Sequence, residues 1–391
     1  MIRLAYGSKA ILDGEKTKAE TLPTTCHILI GESCPYSCSY CSAANASPED
    51  ESVNVARIKW TEMDENELLE KMQNSSFQRA CLQVFSGNEE KALELAEKIK
   101  KPISICLRNV DDDFINGLKN KKNIRICISL DGVNGSIGKK VGRGDFEKSM
   151  QKLEELANSE EFKGRISTHL IIGLGESEKE AVETMAKLAR LGIKIGLFAF
   201  YPAGKMAQEK QVHIGKYRRM QIARAILEKN PDFAFSHDSR GNLLLNEETA
   251  KLIKPYFFQT SGCNGCNRPY YDHSPRRIYN YARELKEGEF EKAKKECQIY
   301  EEKVIYKGKK LLKIDFEKDL NLKRLNWIRI RGDFFAHPEE IIETMEKELE
   351  GSAFDRKEFE KKAGKILKEN NAQLFGITIE DMAKSIFGEN A

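Results

Sequence analysis

The chain has 391 residues, 40% hydrophobic and 32% charged, and its 64 basic and 61 acidic residues leave a formal net charge of +3. Such a composition is typical of a globular protein with two or three domains, and the near balance of charge gives no case for binding nucleic acid. The start lacks the apolar core of a signal peptide, and no run of 18 apolar residues predicts a membrane span. We therefore expect a cytoplasmic protein, in which clustered cysteines are metal ligands rather than disulfides.

The first two hundred residues alternate short apolar runs with amphipathic helical patterns. Six runs are rich in β-branched and aromatic residues: CHILIG (26–31), ACLQVF (80–85), ISICLR (103–108), IRICISL (124–130), ISTHLIIG (166–173) and IGLFAFY (195–201). Between them, apolar residues recur at intervals of three and four, as on one face of a helix. The alternation predicts an α/β fold, a partial barrel of six parallel strands, with its chemistry at the carboxyl ends of the strands.

The rest of the chain divides into further segments. We predict an N-terminal lead (1–22), the barrel (23–255), an ordered loop with a linker helix (256–299) and a small α+β domain (300–391). The last domain rests on two strand patterns, KLLKIDFEK and LNWIRIRG, followed by three helical patterns. Thr378, with Asp381 three residues later, predicts a capping box at the start of the final helix.

Three cysteines directly follow the first predicted strand: Cys34, Cys38 and Cys41. Their C-x3-C-x2-C spacing places three thiolates around one loop. A structural zinc site needs a fourth ligand nearby, whereas an iron–sulfur cluster held by three thiolates keeps one iron open for a small molecule. The spacing therefore favours an iron–sulfur cluster, with a zinc site or a chance grouping as the alternatives.

The pattern C-x3-C-x-aromatic-C, with Tyr40 before the last cysteine, resembles the radical S-adenosylmethionine (radical SAM) superfamily over about residues 23–210. The resemblance implies that Cys34, Cys38 and Cys41 hold a [4Fe–4S] cluster whose open iron binds S-adenosylmethionine. Cleavage of that cofactor would give a radical that abstracts hydrogen from an unactivated carbon.

The same resemblance implies cofactor contacts from three later strand ends. They come from the turns FSGNEE, SLDG and HLIIGLGE: Ser86, Gly87, Asn88 and Glu89; Asp131; and Ile171, Gly173 and Glu176. In the last turn, His169 stands where the family's pattern has its first glycine. An ordinary loop between strand and helix is the alternative for each turn.

Cys263 and Cys266, in GCNGC, form a second pair within a loop dense in Gly, Pro, Asn and aromatic residues. The pair fits a bare turn, half of a zinc site or ligands of an auxiliary [4Fe–4S] cluster, and we favour the cluster. Two thiolates do not complete such a site, so we predict Cys26 as a further ligand, with Cys297 as its alternative. Three other cysteines lie mid-strand and are predicted to be core: Cys81, Cys106 and Cys127.

The stretches RIRGDFFAHPEEIIETMEKELEG (329–351) and LFGITIEDMAKSIFG (374–388) resemble the C-terminal accessory domain of lipoate–protein ligases. The ligase's catalytic domain has no counterpart here, so ligation itself should be absent. Together with the radical SAM pattern and the second cysteine pair, the chain resembles the archaeal-type, two-protein lipoyl synthases, a biotin-synthase-like branch. That resemblance implies insertion of sulfur from the auxiliary cluster into an octanoyl chain on a lipoyl carrier protein.

The implied partners are the octanoylated carrier, a second radical SAM subunit and an electron donor such as ferredoxin, with no nucleic acid and no membrane. The chain departs from bacterial lipoyl synthase because it lacks that enzyme's N-terminal run of cysteines. The fused accessory domain is not a standard part of either protein of the two-protein system. The alternatives are a biotin-synthase-like enzyme acting on a free small molecule and a non-catalytic scaffold for iron–sulfur clusters or carrier protein.

Overall fold

The computed structural model of the protein describes residues 1–16, 19–45 and 52–388. No helix among these residues is long and apolar enough to cross a membrane. The chain divides into two compact units, which are described separately.

The first unit, residues 1–212 with 217–290, is built on a nine-stranded sheet. Its strands are β1 Ile2–Ala5, β2 Thr25–Ile30, β3 Ser52–Val55, β4 Ile58–Glu62, β5 Arg79–Val84, β6 Ile103–Leu107, β7 Ile124–Ile128, β8 Ile166–Ile172 and β9 Lys194–Ala199. The order across the sheet is β3-β4-β1-β2-β5-β6-β7-β8-β9. The six strands β2 and β5 to β9 run parallel, and they are the six that the sequence predicts. The predicted partial α/β barrel is confirmed.

Three antiparallel strands extend the sheet beyond β2, and the sequence predicts none of them. Within the predicted N-terminal lead, β1 pairs with β2, where Ile2 lies opposite Ile30. The β3–β4 hairpin continues the sheet from β1. These three strands are only four or five residues long, and about half of the residues in β3 and β4 are polar. They therefore lack the longer apolar run that marks the parallel strands.

Helices follow the strands along the chain, and α3, α6 and α7 pack against β5, β8 and β9. The helices with residues in this unit are α1 Tyr6–Leu12, α2 Glu65–Gln73, α3 Glu89–Lys98, α4 Asp112–Leu118, α5 Gly135–Lys140, α6 Phe146–Asn158, α7 Glu178–Arg190, α8 Ile214–Leu227 and α9 Glu247–Leu252. Three short 3-10 turns lie at Ser42–Asn45, Gly204–Met206 and Pro255–Phe258, and a two-stranded ribbon joins β10 Ser236–His237 and β11 Leu243–Leu244. Where a helix connects one parallel strand to the next, the carboxyl ends of both strands lie at the same edge of the sheet.

The second unit, residues 213–216 with 291–391, has an α+β fold. Its elements are α10 Glu289–Glu296, β12 Ile299–Lys307, β13 Leu311–Asp319, β14 Arg324–Gly332, β15 Phe335–His337, α11 Ile341–Leu349, α12 Arg356–Glu369, β16 Gln373–Phe375 and α13 Ile379–Phe387. The antiparallel sheet β12-β13-β14 and the last three helices share one core, which includes Phe316, Met345 and Met382. The two predicted strands are β13 and β14, whereas β12 is not predicted. The capping box of Thr378 and Asp381 is confirmed.

A buried ion pair joins α7 to α8 in the first unit and gives a test of the fold. Arg219 Nη2 lies 2.6 Å from Glu178 Oε1, and both side chains are 2% exposed. Glu178 also accepts a hydrogen bond from the Leu243 N–H at 2.9 Å. We expect Glu178→Ala to lower the free energy of unfolding by about 3–5 kcal/mol, because the Arg219 guanidinium loses this buried counter-charge.

Urea denaturation followed by circular dichroism measures the effect. The matched control is Glu183→Ala, whose carboxylate lies 4.0 Å from Lys179 in an exposed pair, and we expect a change of at most about 0.5 kcal/mol. Equal losses in the two variants would contradict a structural role for the buried pair.

Candidate active site

The loop that follows β2 carries the three clustered thiols: Cys34, Cys38 and Cys41. We call residues 31–41 the three-cysteine loop. Its backbone is tied to two neighbouring segments, since the Ser39 N–H donates to the Val141 carbonyl at 3.0 Å and the Met206 N–H donates to the Ser39 carbonyl at 3.1 Å. A Cβ on Gly204 would lie 2.8 Å from the Cys41 carbonyl oxygen, so only glycine permits this approach. These contacts fix the position of the loop against both neighbouring segments.

A basic side chain at the end of β6 reaches this loop. Arg108 Nη1 donates to Cys38 Sγ at 3.1 Å, and its guanidinium lies 3.6 Å from the centre of the Tyr36 ring. Arg108 Nε is paired with Asp145 at 2.9 Å. The Arg108 guanidinium therefore places a positive charge beside one of the three sulfur atoms of the loop.

Burial changes the acidity of the other two thiols of the loop. It raises the pKa of Cys34 above its usual value and the pKa of Cys41 to about 12. These two thiols therefore hold their protons at neutral pH until a metal displaces them, so metal binding releases protons.

Tyr40 and Asp131, both predicted cofactor contacts, meet beside the three-cysteine loop. The Tyr40 hydroxyl donates to Asp131 Oδ2 at 2.6 Å, and Arg143 Nε lies 3.6 Å from the same carboxylate. Asp131 follows β7 with a φ of 59° and bridges to β8, where its carbonyl accepts from the Ile171 N–H at 2.8 Å. Burial first, and then the Asp131 charge, raise the pKa of Tyr40, so its hydroxyl stays protonated and acts as a donor.

The two other predicted turns satisfy some of their own polar groups. In FSGNEE, the Gly87 N–H donates to Glu89 Oε2 at 2.8 Å. In HLIIGLGE, the buried carboxylate of Glu176 accepts from the N–H groups of Gly173 and Leu174 at 2.8 and 2.9 Å. Glu176 thus holds the shape of its own turn, which is a positioning role. From the same turn, Ile171 lines the cavity described next.

A cavity of about 220 Å³ lies inside the parallel sheet. Tyr40, Cys41 and Asp131 line it at the carboxyl ends of the strands, and both Cys263 and Cys266 line it as well. The cavity therefore connects the three-cysteine loop with the second cysteine pair.

Residues 259–273, which we call the closing loop, bridge the two outer strands of the parallel sheet. On β9, the Leu197 N–H donates to Ser261 Oγ at 2.9 Å and the Ala199 N–H donates to Asp272 Oδ2 at 2.8 Å. Before β2, the Thr24 N–H donates to Asn267 Oδ1 at 2.9 Å. This is the segment that the sequence predicts as an ordered loop.

The second cysteine pair lies on the closing loop and faces the strands. Cys263 Sγ is 3.1 Å from Ser104 Oγ, and Cys266 Sγ is 3.9 Å from His27 Nε2. Burial raises the pKa of both thiols. Burial also lowers the pKa of His27 to about 3, so its imidazole is neutral at physiological pH.

Neither cysteine that was considered as a further ligand of this pair lies in the cavity. His27 faces the cavity, so the adjacent Cys26 points to the other face of β2, where it contacts Ser8. The placement of Cys26 therefore corrects its prediction as a third ligand. Cys297 belongs to the second unit, where its Sγ donates to the Ala293 carbonyl at 3.0 Å.

The cysteines predicted to be core have a second property that the sequence did not reveal. They are buried and lie together: Cys81, Cys106 and Cys127. Cys81 and Cys106 also line the cavity, together with Arg79, Arg268 and His169. The sequence carries one signal of this placement, the alternation of side chains along each strand. Residues two apart on a strand share a face, so each of these cysteines lies on the same face as other residues of its strand that line the cavity. A hydrogen bond with Cys106 lowers the pKa of Cys81 to about 7.

Residues 28–188 match the family model of the radical SAM superfamily. This chain carries a radical SAM domain. The domain marks the chain as an enzyme and implies a [4Fe–4S] cluster and S-adenosylmethionine as cofactors. A search of curated proteins finds no match.

Two solved structures show similarity at low sequence identity. One comes from a structural study of an archaeal lipoylation system, a bipartite lipoate protein ligase and its E2 lipoyl domain from Thermoplasma acidophilum. It is 24% identical, covers 22% of this chain and 96% of that chain, and has a TM-score of 0.20. The other is the archaeal Methanocaldococcus infernus Elp3 with an N-terminal deletion, 12% identical over 83% of this chain and 87% of that chain, with a TM-score of 0.33.

The three-cysteine loop fits the cluster that the radical SAM domain implies. Its donors are three soft thiols, the ligand type that iron–sulfur clusters use. The sulfur atoms do not crowd around a single point, since among the described residues only Cys106, Cys127 and His169 form a trio of possible ligands with all atoms within 4.8 Å of one another. We therefore keep Cys34, Cys38 and Cys41 as the proposed ligands.

Replacing any of these three cysteines by alanine tests the proposed cluster site. We expect cleavage of S-adenosylmethionine to be abolished and the iron content to fall by about four per chain, because two thiolates do not hold the cluster. Anaerobic reconstitution, iron analysis and chromatography of 5′-deoxyadenosine measure both effects. Cys297→Ala is the matched control and should keep both. Full cleavage of S-adenosylmethionine by a variant that lacks all three cysteines would contradict their assignment as cluster ligands.

Proposed function

We propose that this radical SAM enzyme inserts sulfur into an alkyl chain, and that its substrate is an octanoyl group attached to a lipoyl carrier protein. The observation that supports sulfur insertion is the shared cavity, which Cys41 borders on one side and Cys263 and Cys266 on the other. The carrier-bound octanoyl group is supported by the resemblance of residues 329–351 and 374–388 to a lipoate-ligase accessory domain.

The chain's own residues prepare the cavity for a radical reaction. Cys34, Cys38 and Cys41 would hold the [4Fe–4S] cluster, where reductive cleavage of bound S-adenosylmethionine supplies a 5′-deoxyadenosyl radical. Tyr40 and Asp131 place a hydroxyl and a carboxylate at the same side of the cavity. An alkyl chain carries no acidic proton, so hydrogen abstraction rather than proton transfer is the chemistry that such a substrate requires.

The walls of the cavity suit an alkyl chain. Aromatic side chains from the end of β9, the residue that follows it and the closing loop line the cavity: Phe198, Phe200 and Tyr271. Phe198 and Tyr271 meet edge to face with ring centres 6.0 Å apart. This aromatic part of the lining, which elsewhere carries Arg79 and Arg268, is where the hydrocarbon portion of a substrate would lie.

We assign Cys263 and Cys266 to an auxiliary [4Fe–4S] cluster that provides the sulfur. For each C–H bond exchanged for a C–S bond, one S-adenosylmethionine and one electron are consumed, and methionine and 5′-deoxyadenosine are released. That cluster would supply one sulfide for each carbon–sulfur bond and would take up the electron released when the bond forms. Since Cys26 faces away from the cavity, the remaining ligands of this cluster come from elsewhere.

The test is incubation of an octanoylated carrier-domain peptide with the reconstituted enzyme, S-adenosylmethionine and a reductant under anaerobic conditions. Mass spectrometry should show a product heavier by sulfur, with no such product from free octanoate. Sulfur incorporation into a free small molecule alone would favour the biotin-synthase-like alternative. No cleavage of S-adenosylmethionine at all would favour a scaffold.

Changing Cys263 and Cys266 to alanine separates sulfur insertion from hydrogen abstraction. We expect 5′-deoxyadenosine to form without any thiolated product, because the substrate radical finds no sulfide within bonding distance. Iron analysis should show a loss of about one cluster per chain. Cys297→Ala, a cysteine of the second unit, should change neither readout. Unchanged iron content would mean that Cys263 and Cys266 belong to a bare turn or to half of a zinc site, and not to an auxiliary cluster.

The second unit offers an exposed aromatic pair for carrier docking. Phe335 and Phe375 lie opposite each other on β15 and β16, 71% and 50% exposed. We expect Phe335→Ala with Phe375→Ala to raise KM for the octanoylated carrier by about tenfold, because exposed aromatics are frequent anchors of interfaces. Cofactor cleavage without carrier should be unchanged. The control is Leu322→Ala, which removes a 54% exposed apolar side chain of the same unit; an equal effect there would argue against docking at the aromatic pair.

A further inference from the structure

The residue that follows β6 carries a guanidinium that contacts both a sulfur atom and a carboxylate. One edge of the Arg108 guanidinium faces Asp145, with Nε 2.9 Å from Oδ2 and Nη2 3.4 Å from Oδ1. The remaining nitrogen, Nη1, donates to Cys38 Sγ at 3.1 Å. The carboxylate and the sulfur therefore lie at different edges of the same planar group.

The sulfur atoms of the three-cysteine loop have donors of two kinds. The backbone N–H group of Tyr36 interacts with the Cys34 sulfur, and that of Ala43 interacts with the Cys41 sulfur. Cys38 accepts instead from a side chain with a full positive charge. A charged donor is stronger than a neutral one, so the three sulfurs are electrostatically unequal.

Several contacts hold the Arg108 guanidinium against the loop. Its carbon lies 3.6 Å from the centre of the Tyr36 ring. Arg143 Nη2 lies 3.4 Å from the Arg108 carbonyl, and Arg143 Nε lies 3.9 Å from Asp145 Oδ1. The side chains of Arg108 and Asp145 are only 12% and 18% exposed. Because water reaches them little, their charges are weakly screened at the sulfur.

A positive charge at a ligand sulfur has a defined effect on an iron–sulfur cluster. Reduction adds one negative charge to the cluster, and hydrogen bonds and positive charge at its sulfurs stabilise that reduced form. Asp145 offsets part of the charge of Arg108. Its carboxylate contacts the other edge of the guanidinium, however, so the positive group lies nearer to the sulfur.

We propose that Arg108 is a positioning residue that acts through Cys38 and raises the reduction potential of the radical SAM cluster. Cleavage of S-adenosylmethionine begins with an electron on that cluster, so a higher potential makes the enzyme easier to activate. The ordinary alternative is a structural role, in which Arg108 only ties the end of β6 to the loop. The inference rests on Cys38 as a cluster ligand and is independent of the proposed sulfur insertion.

The test is a redox titration of the reconstituted full-length protein in the background C263A/C266A, which removes the proposed auxiliary cluster. Electron paramagnetic resonance follows the reduced cluster without S-adenosylmethionine, so contacts to that cofactor do not enter the result. We expect Arg108→Gln to lower the equilibrium constant for reduction about tenfold, which is about 59 mV for a one-electron couple. Arg108→Lys keeps the charge, and its potential should lie closer to that of the background.

Asp145→Asn is a second variant, which keeps the guanidinium and removes the charge that offsets it. Its potential should rise, opposite to the change in Arg108→Gln, and a structural role gives no reason for opposite signs. The control is Arg190→Gln, which removes a positive charge from an exposed pair with Asp232 and should leave the potential unchanged.

Iron analysis and circular dichroism check that each variant is loaded and folded. An unchanged potential in loaded Arg108→Gln overturns the proposal, and so does a shift of the same sign in Arg108→Gln and Asp145→Asn. Loss of the cluster from all three variants of this pair also overturns it, because the contact would then serve assembly of the loop.

Discussion

The site depends on the hydrogen bonds that the closing loop accepts from backbone N–H groups at the edge of the parallel sheet. An outer strand presents backbone N–H groups that must find acceptors if they are buried. On β9, Ser261 and Asp272 provide these acceptors for Leu197 and Ala199. Asp272 is itself fixed, because its carboxylate also accepts from Asn280 Nδ2 at 3.0 Å. The same contacts that close the sheet therefore bring the second cysteine pair into the cavity.

The other half of the site follows from strand direction. In parallel strands the carboxyl ends share one edge, so the three-cysteine loop after β2, Arg108 after β6 and Asp131 after β7 meet there although they are far apart in sequence. Side chains deeper in the sheet are sorted by the two-residue period, which turns His27 inward and Cys26 outward. Topology thus sets which groups meet, and phase sets which of them face the cavity.

The sequence predicted the parts of the molecule that local patterns encode. The six parallel strands carry continuous apolar runs, and the three-cysteine motif has a spacing that identifies its superfamily. The short strands β1, β3 and β4 were missed because each has only four or five residues, too few for a pattern that predicts a strand. The mid-strand cysteines were predicted as core, since a sequence without known strand phase does not distinguish a residue that faces a cavity from one that faces a helix. Cys26 was misplaced for the same reason, as it differs from His27 by a single position.

Burial gives this arrangement its chemical character. Away from water, a thiol tends to keep its proton, and a charged group needs a partner of opposite charge. The first effect is seen in three thiols, since burial raises the pKa of Cys41, Cys263 and Cys266. A metal ion reverses that balance, because it binds the thiolate and supplies the positive charge that solvent would otherwise offset. Cys41, Cys263 and Cys266 thus keep their protons until a metal binds, and then become anionic ligands. An apolar substrate between two such centres would be shielded from water, which is the condition under which a carbon radical is captured by sulfur instead of being lost to side reactions.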